Sequence, residues 1–121
     1  IIWRDSKFYI QKRDEKSMLG GLWEFPGGKI ENKESLEVAL KREIKEECGI
    51  IPIIKDKIGC VEHSYSHFSI SLNCFHCIES DEKIRFSKNG AWITHDEICL
   101  YPFPKANHKL FNLINKKGWH V

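Results

Sequence analysis

Glu34, Arg42, Glu43, Glu46 and Glu47 lie within residues 28–50, which read GKIENKESLEVALKREIKEECGI. Ser35 can cap a helix N-terminus and Gly49 can stop one, and the residues between them are good helix formers, so the spacing predicts a helix over 36–48. At about 100° per residue, Leu36, Leu40 and Ile44 share one face and Lys41 and Lys45 the opposite one. Glu43 and Glu47 fall inside the apolar arc, and Glu46 at its edge beside Ala39. Burying unpaired carboxylates is costly and like charges repel, so a cation belongs there. The alternative is a solvated face, or internal pairing such as Arg42 with Glu46 at i, i+4. Glu37 and the lysines already fill the wet side, which favours the cation. Hard oxygen donors without His or Cys suit Mg²⁺ or Mn²⁺ rather than zinc, and Mg²⁺ points to a phosphate substrate.

The elements that must position these acids come from a chain of 121 residues, expected to form a single domain spanning 1–121. A net charge of +2 is too small to argue by itself for nucleic acid or a membrane surface. No apolar run approaches a membrane span and no signal peptide is visible. Five cysteines without a framework fit a reducing cytoplasm. The chain opens on Ile1-Ile2-Trp3 without an initiator Met, so residues upstream are expected.

Ile1 to Trp3 and Lys7 to Lys12 read as strands joined by a turn at Arg4-Asp5-Ser6, the second half-buried, with Phe8 and Ile10 alternating with Lys7, Tyr9 and Gln11. Arg13 to Gly21 reads as a loop, and Pro26-Gly27-Gly28 as a sharp turn exposing backbone beside the carboxylates. A glycine carbonyl there could complete an oxygen shell, and Lys29 could meet a phosphate. Ile51 to Val61 reads as strand and His63 to Ser66 as loop. Phe68, Ile70, Leu72 and Cys74 alternate with polar residues in a long strand. Ile84 to Phe86 and Ala91 to Thr94 are expected to form a hairpin through Asn89-Gly90. A last helix is expected over Lys105 to Asn115, after Pro102 and Pro104. Strands around one central helix, with another at the end, make an α/β arrangement with a mixed sheet.

At its defined positions, Gly28 through Ile50 resembles the signature of the Nudix hydrolases, and the resemblance implies an α/β/α sandwich. The flanks WEFPGGKIE (Trp23 to Glu31) and PFPKAN (Pro102 to Asn107) are similar to the MutT-like subgroup, which hydrolyses nucleoside triphosphates, typically oxidised ones such as 8-oxo-dGTP, to the monophosphate and pyrophosphate. The resemblance implies that Glu43, Glu46, Glu47 and the Gly28 carbonyl hold the metal, with Glu43 also a candidate base. It puts Glu34 in an outer layer and gives Arg42 the task of orienting the acids. It further implies a phosphate or nucleotide contact for Arg13 and purine-edge reading for Asn107, for which a helix N-cap is the alternative. Tyr65 and Phe68 are candidates for stacking on a base, with Phe68 also readable as core. Several Nudix hydrolases carry a further glutamate ahead of the Trp matched by Trp92. Phe86 to Ala91 contains none, and the nearest upstream acids are Asp81 and Glu82.

Cys74 and Cys77 form a C-x-x-C, but in a strand residues three apart face opposite sides, so packing is expected rather than zinc. A second resemblance, of His63 to Cys77 and of PFPKANHKLFN, is to the C-terminal domain of MutY-type adenine glycosylases, a Nudix-fold module that recognises 8-oxoguanine in DNA without hydrolysis. The complete box favours the hydrolase.

Overall fold

The computed structural model describes residues 1–85 and 87–119. Six strands and two α-helices are described: β1 (Ile2–Arg4), β2 (Lys7–Lys12), β3 (Trp23–Glu24), α1 (Leu36–Cys48), β4 (Ile53–Ser64), β5 (Ser69–Ile78), β6 (Gly90–Ile93) and α2 (Lys105–Lys117), with a 3-10 helix at His95–Leu100. β1 runs parallel to β5, and all other pairings are antiparallel, which makes the sheet mixed. β2 is its hub. Phe8 pairs with both Trp3 and Ile93, and Gln11 with both Glu24 and Gly90, so β6 takes one edge of β2 while β1 and β3 share the other.

Each face of the sheet is covered. On one side α2 packs Leu110, Phe111 and Ile114 against Phe8, Ile10, Ile58 and Phe103. On the other, α1 sets Ile44, Leu36 and Leu40 against Ile2, Tyr9, Phe75 and Cys77. This is the α/β/α sandwich expected from the sequence. Cys74 belongs to the first core and Cys77 to the second, on opposite faces of β5, and all five cysteines are free thiols.

The structure corrects several expectations. β2 is not half-buried, because Phe8, Tyr9 and Ile10 are all within the core; both faces of a central strand are covered. β4 runs on through His63 and Ser64, paired with Ile70 and Ser69, leaving only residues 65–68 as the connection, so Phe68 precedes its strand. The expected hairpin does not form. Asn89-Gly90 does turn, with the Gly90 amide donating to Ser87, but β6 then pairs with β2. Ile84 and Arg85 are not in a strand, since the Glu79 carboxylate takes the Ile84 amide at 2.7 Å; Phe86 lies outside the described residues. α2 continues two residues past Asn115, to Lys117.

Candidate active site

α1 spans the residues expected, and its ends show why. The Ser35 hydroxyl accepts the Val38 amide at 3.1 Å, and Gly49 adopts a left-handed conformation at φ 77° that lets its amide donate to Lys45. With the helix ends fixed, Ile44 points to the core and Lys41 and Lys45 to solvent, while Glu43 and Glu47 meet the loop that begins at Pro26 and Glu46 stays exposed beside Arg42.

Arg42 organises one half of this cluster. Its guanidinium donates to both oxygens of Glu34, at 2.8 and 2.9 Å, to Glu43 at 2.9 Å and to the Lys29 carbonyl at 2.9 Å, and it lies 3.6 Å from Glu46. The hydrogen bond from Arg42 is the main reason that the Glu34 pKa falls below the ordinary carboxylate range. The i, i+4 pairing of Arg42 with Glu46 is thus present, as one arm of a larger web that also ties the loop to the helix. Gly28 lies so close to Glu43 that a Cβ there would overlap its carboxylate, although the backbone itself would allow a side chain.

Glu47 is held differently, by uncharged donors. Its Oε1 accepts the Gly27 amide at 3.0 Å and its Oε2 the Gln11 amide at 2.6 Å. The residue keeps contact with solvent, yet the protein packed around it withholds enough hydration to push its pKa up to about 7, with Glu24 and Glu43 adding repulsion against the two hydrogen bonds. Among the described residues no three acids, histidines or cysteines form a ready metal cage. What the structure assembles is an oxygen-rich set of carboxylates and loop backbone, with donor chemistry that fits Mg²⁺ or Mn²⁺.

Arg13 reaches this cluster indirectly. It pairs with Glu24 at 2.5 Å, and Glu24 accepts the Gln11 amide at 3.1 Å. Gln11 and Glu24 were not legible as site residues, because what joins them is the cross-strand register of β2 and β3. Lys29 is exposed, and its carbonyl accepts from Arg42. Tyr65 stacks on Phe68 at a centroid distance of 4.8 Å, meets His63 edge-on, and accepts the Ala106 amide on its hydroxyl at 3.1 Å. That bond sets the β4–β5 connection against the start of α2, where Asn107 is buried at 9% exposure. Asn107 is not the N-cap. Pro104 is, and the Asn107 amide donates to its carbonyl. Tyr65 and Asn107 therefore form a second group, which no hydrogen bond or ion pair among the described residues joins to the acids. Of the acids upstream of Trp92, Glu82 stands 3.8 Å from Lys45, on the solvated side of α1.

The NUDIX domain model matches residues 1–113. This chain belongs to the Nudix family. Within it, the chain is similar to an 8-oxo-dGTP diphosphatase of Buchnera aphidicola (subsp. Schizaphis graminum), 34% identical over 96% of this chain and 89% of that protein. It is 33% identical to the CTP pyrophosphohydrolase of Escherichia coli over 88% of this chain and 81% of the other. The adenine DNA glycosylase of Mus musculus is 30% identical over 86% of this chain, which spans only 21% of that protein. Among solved structures, the E. coli ORF135 protein superposes with a TM-score of 0.79 at 30% identity, covering 96% of this chain and 84% of that one. This Nudix chain is MutT-like in sequence and in fold, and its likeness to the 8-oxo-dGTP diphosphatase and the CTP pyrophosphohydrolase makes it a nucleotide pyrophosphohydrolase. Among the described residues no helix is long and apolar enough to cross a membrane.

Proposed function

We propose that this chain is a Mg²⁺-dependent nucleoside triphosphate pyrophosphohydrolase, acting in the cytoplasm on nucleotides such as 8-oxo-dGTP and yielding the monophosphate and pyrophosphate. The observation that carries this reading is the packing of Glu43 and Glu47 of α1 against the Gly27-Gly28 loop, with Glu46 beside the Arg42 guanidinium that also holds Glu43. Those carboxylates and the Gly28 carbonyl would hold the ion. A bound Mg²⁺ supplies charge neutralisation for the phosphoryl oxygens and lowers the pKa of a water.

The chain's own residues do the rest. Arg42 keeps Glu43 in place at 2.9 Å, so that the candidate base has a defined orientation toward an attacking water. Lys29 and Arg13 offer positive charge to the phosphates, Lys29 from an exposed loop and Arg13 after leaving Glu24. The Tyr65 ring offers an aromatic face to a base, and Asn107 a donor and an acceptor to its edge. No glutamate in the loop before Trp92 is available to share the role of base, so that role falls to Glu43.

The second reading, recognition of 8-oxoguanine in DNA, is supported by the likeness to the adenine DNA glycosylase. One panel separates the two: pyrophosphate release with Mg²⁺ from 8-oxo-dGTP, the four dNTPs and the four NTPs, beside binding to duplexes with and without 8-oxoguanine. Monophosphate and pyrophosphate from at least one nucleotide is the expected result, and the ranking names the preferred substrate. No release from any of them, with selective binding to the damaged duplex, would overturn the hydrolase reading.

A further inference from the structure

The acids of α1 divide by the kind of partner that holds them. Glu43 and Glu46 stand beside a guanidinium, which competes with any other cation for their charge. Among the described residues Glu47 accepts from neutral N–H groups, which orient a carboxylate without cancelling its charge. We propose that Gln11 is a positioning residue for Glu47, its side-chain amide bridging Glu24 and Glu47 so that the Glu47 carboxylate is held facing the metal site. The proposal rests on the reading of Glu47 as a metal ligand.

The geometry fixes the sense of the amide. Nε2 donates to Glu47 Oε2 at 2.6 Å and to Glu24 Oε2 at 3.1 Å, using both of its hydrogens on two acids. Turning the amide over would set its carbonyl oxygen against both carboxylates, so chemistry selects one orientation. In that orientation Gln11 Oε1 faces the Cys48 thiol, 3.9 Å away, a group that burial keeps protonated and able to donate. The second oxygen of Glu24 is taken by Arg13. A continuous chain of donors and acceptors therefore runs from Arg13 through Glu24 and Gln11 to Glu47, with the backbone amide of Gly27 closing on the far oxygen of Glu47. The strand pairing of Gln11 with Glu24 and with Gly90 fixes its backbone from both sides, and the bonds to Glu24 and Glu47 hold the amide at the end of the side chain.

Groups that hold metal ligands in place commonly alter metal affinity by 10–100-fold when removed. Gln11→Met keeps the length of the side chain and deletes its donors, and Gln11→Leu repeats the test if the thioether packs poorly. The readouts are Mn²⁺ binding to the whole chain, followed by the electron paramagnetic resonance of free Mn²⁺, and the Mg²⁺ concentration for half-maximal pyrophosphate release. Both constants should rise by about 10–100-fold in the Gln11 variants, with the nucleotide KM at saturating Mg²⁺ unchanged. A purely structural role would lower the melting temperature and leave both metal constants alone. Glu47→Gln is the reference. Weakened Mn²⁺ binding in Glu47→Gln, with wild-type binding in Gln11→Met, would overturn the positioning role and leave the metal reading standing. Wild-type binding in both would overturn that reading and the proposal with it.

Discussion

Glu43 and Glu47 lie one turn apart on α1, yet one is paired with a guanidinium and the other with two neutral amides. The carboxylate with neutral partners is the one whose pKa rises to about 7, since nothing positive offsets its lost hydration. Gly28 shows how tightly the loop approaches. A methyl group there would push the Glu43 carboxylate aside without straining the backbone, so Gly28→Ala should reduce turnover by about 10–100-fold while the melting temperature scarcely moves. Steady-state kinetics beside a thermal melt would check it, and a large loss of stability at unchanged kcat would point to a folding role instead. At this scale the acids were legible in the sequence, because helical spacing alone sets them against the leucines. Gln11 and Glu24 were not. They lie 13 residues apart, and only the β2–β3 register brings their side chains together.

Among the elements, α1 was read residue for residue because every local signal agreed: the cap at Ser35, the apolar period and the glycine stop. Ser35→Ala removes the acceptor for the Val38 amide and should cost about 1 kcal/mol of stability, measurable by urea denaturation. Because α1 carries the three acids, the same change should raise the Mg²⁺ requirement slightly. Elsewhere local signals competed with long-range partners. Asn89-Gly90 is a good turn sequence and it does turn, but the strand expected before it is drawn off by Glu79. The 3-10 helix after β6 had a readable mark in Thr94 and Glu97, spaced as in a capping box, and the Glu97 carboxylate accepts both the amide and the hydroxyl of Thr94. β2 defeated its alternating pattern because Tyr9 could be taken for a surface residue, whereas it packs edge-on against Trp92 under α1.

Across the whole molecule, one brace ties the end of β5 to its neighbour β1 and to β6. Arg4 on β1 donates to both oxygens of Glu79, each at 2.6 Å, and lies over the Trp92 ring at 4.0 Å. The Glu79 side chain is 2% exposed. Burial opposes its ionisation, but the Arg4 hydrogen bonds, the Ile84 amide and the charges of Arg4 and Lys83 together outweigh that, and its pKa lies below the ordinary value. A carboxylate with a lowered pKa in the folded state contributes stability above its unfolded pKa of about 4.3, and that contribution disappears as pH falls through the lower folded value. Glu79→Gln should therefore be less stable by about 2 kcal/mol at neutral pH, with the gap to wild type closing below about pH 4; thermal melts across pH would measure it. A gap that stayed constant would assign the loss to packing rather than to charge.

Whether Glu47 belongs to a metal site that drives pyrophosphate release is read most directly from that release at saturating Mg²⁺ by wild type and by Glu47→Gln, on the best nucleotide of the panel. A metal-bound Glu47 requires metal-dependent release by the wild type and a loss on the order of 10³-fold in the variant, with the fold retained. Equal release by the two proteins would contradict it.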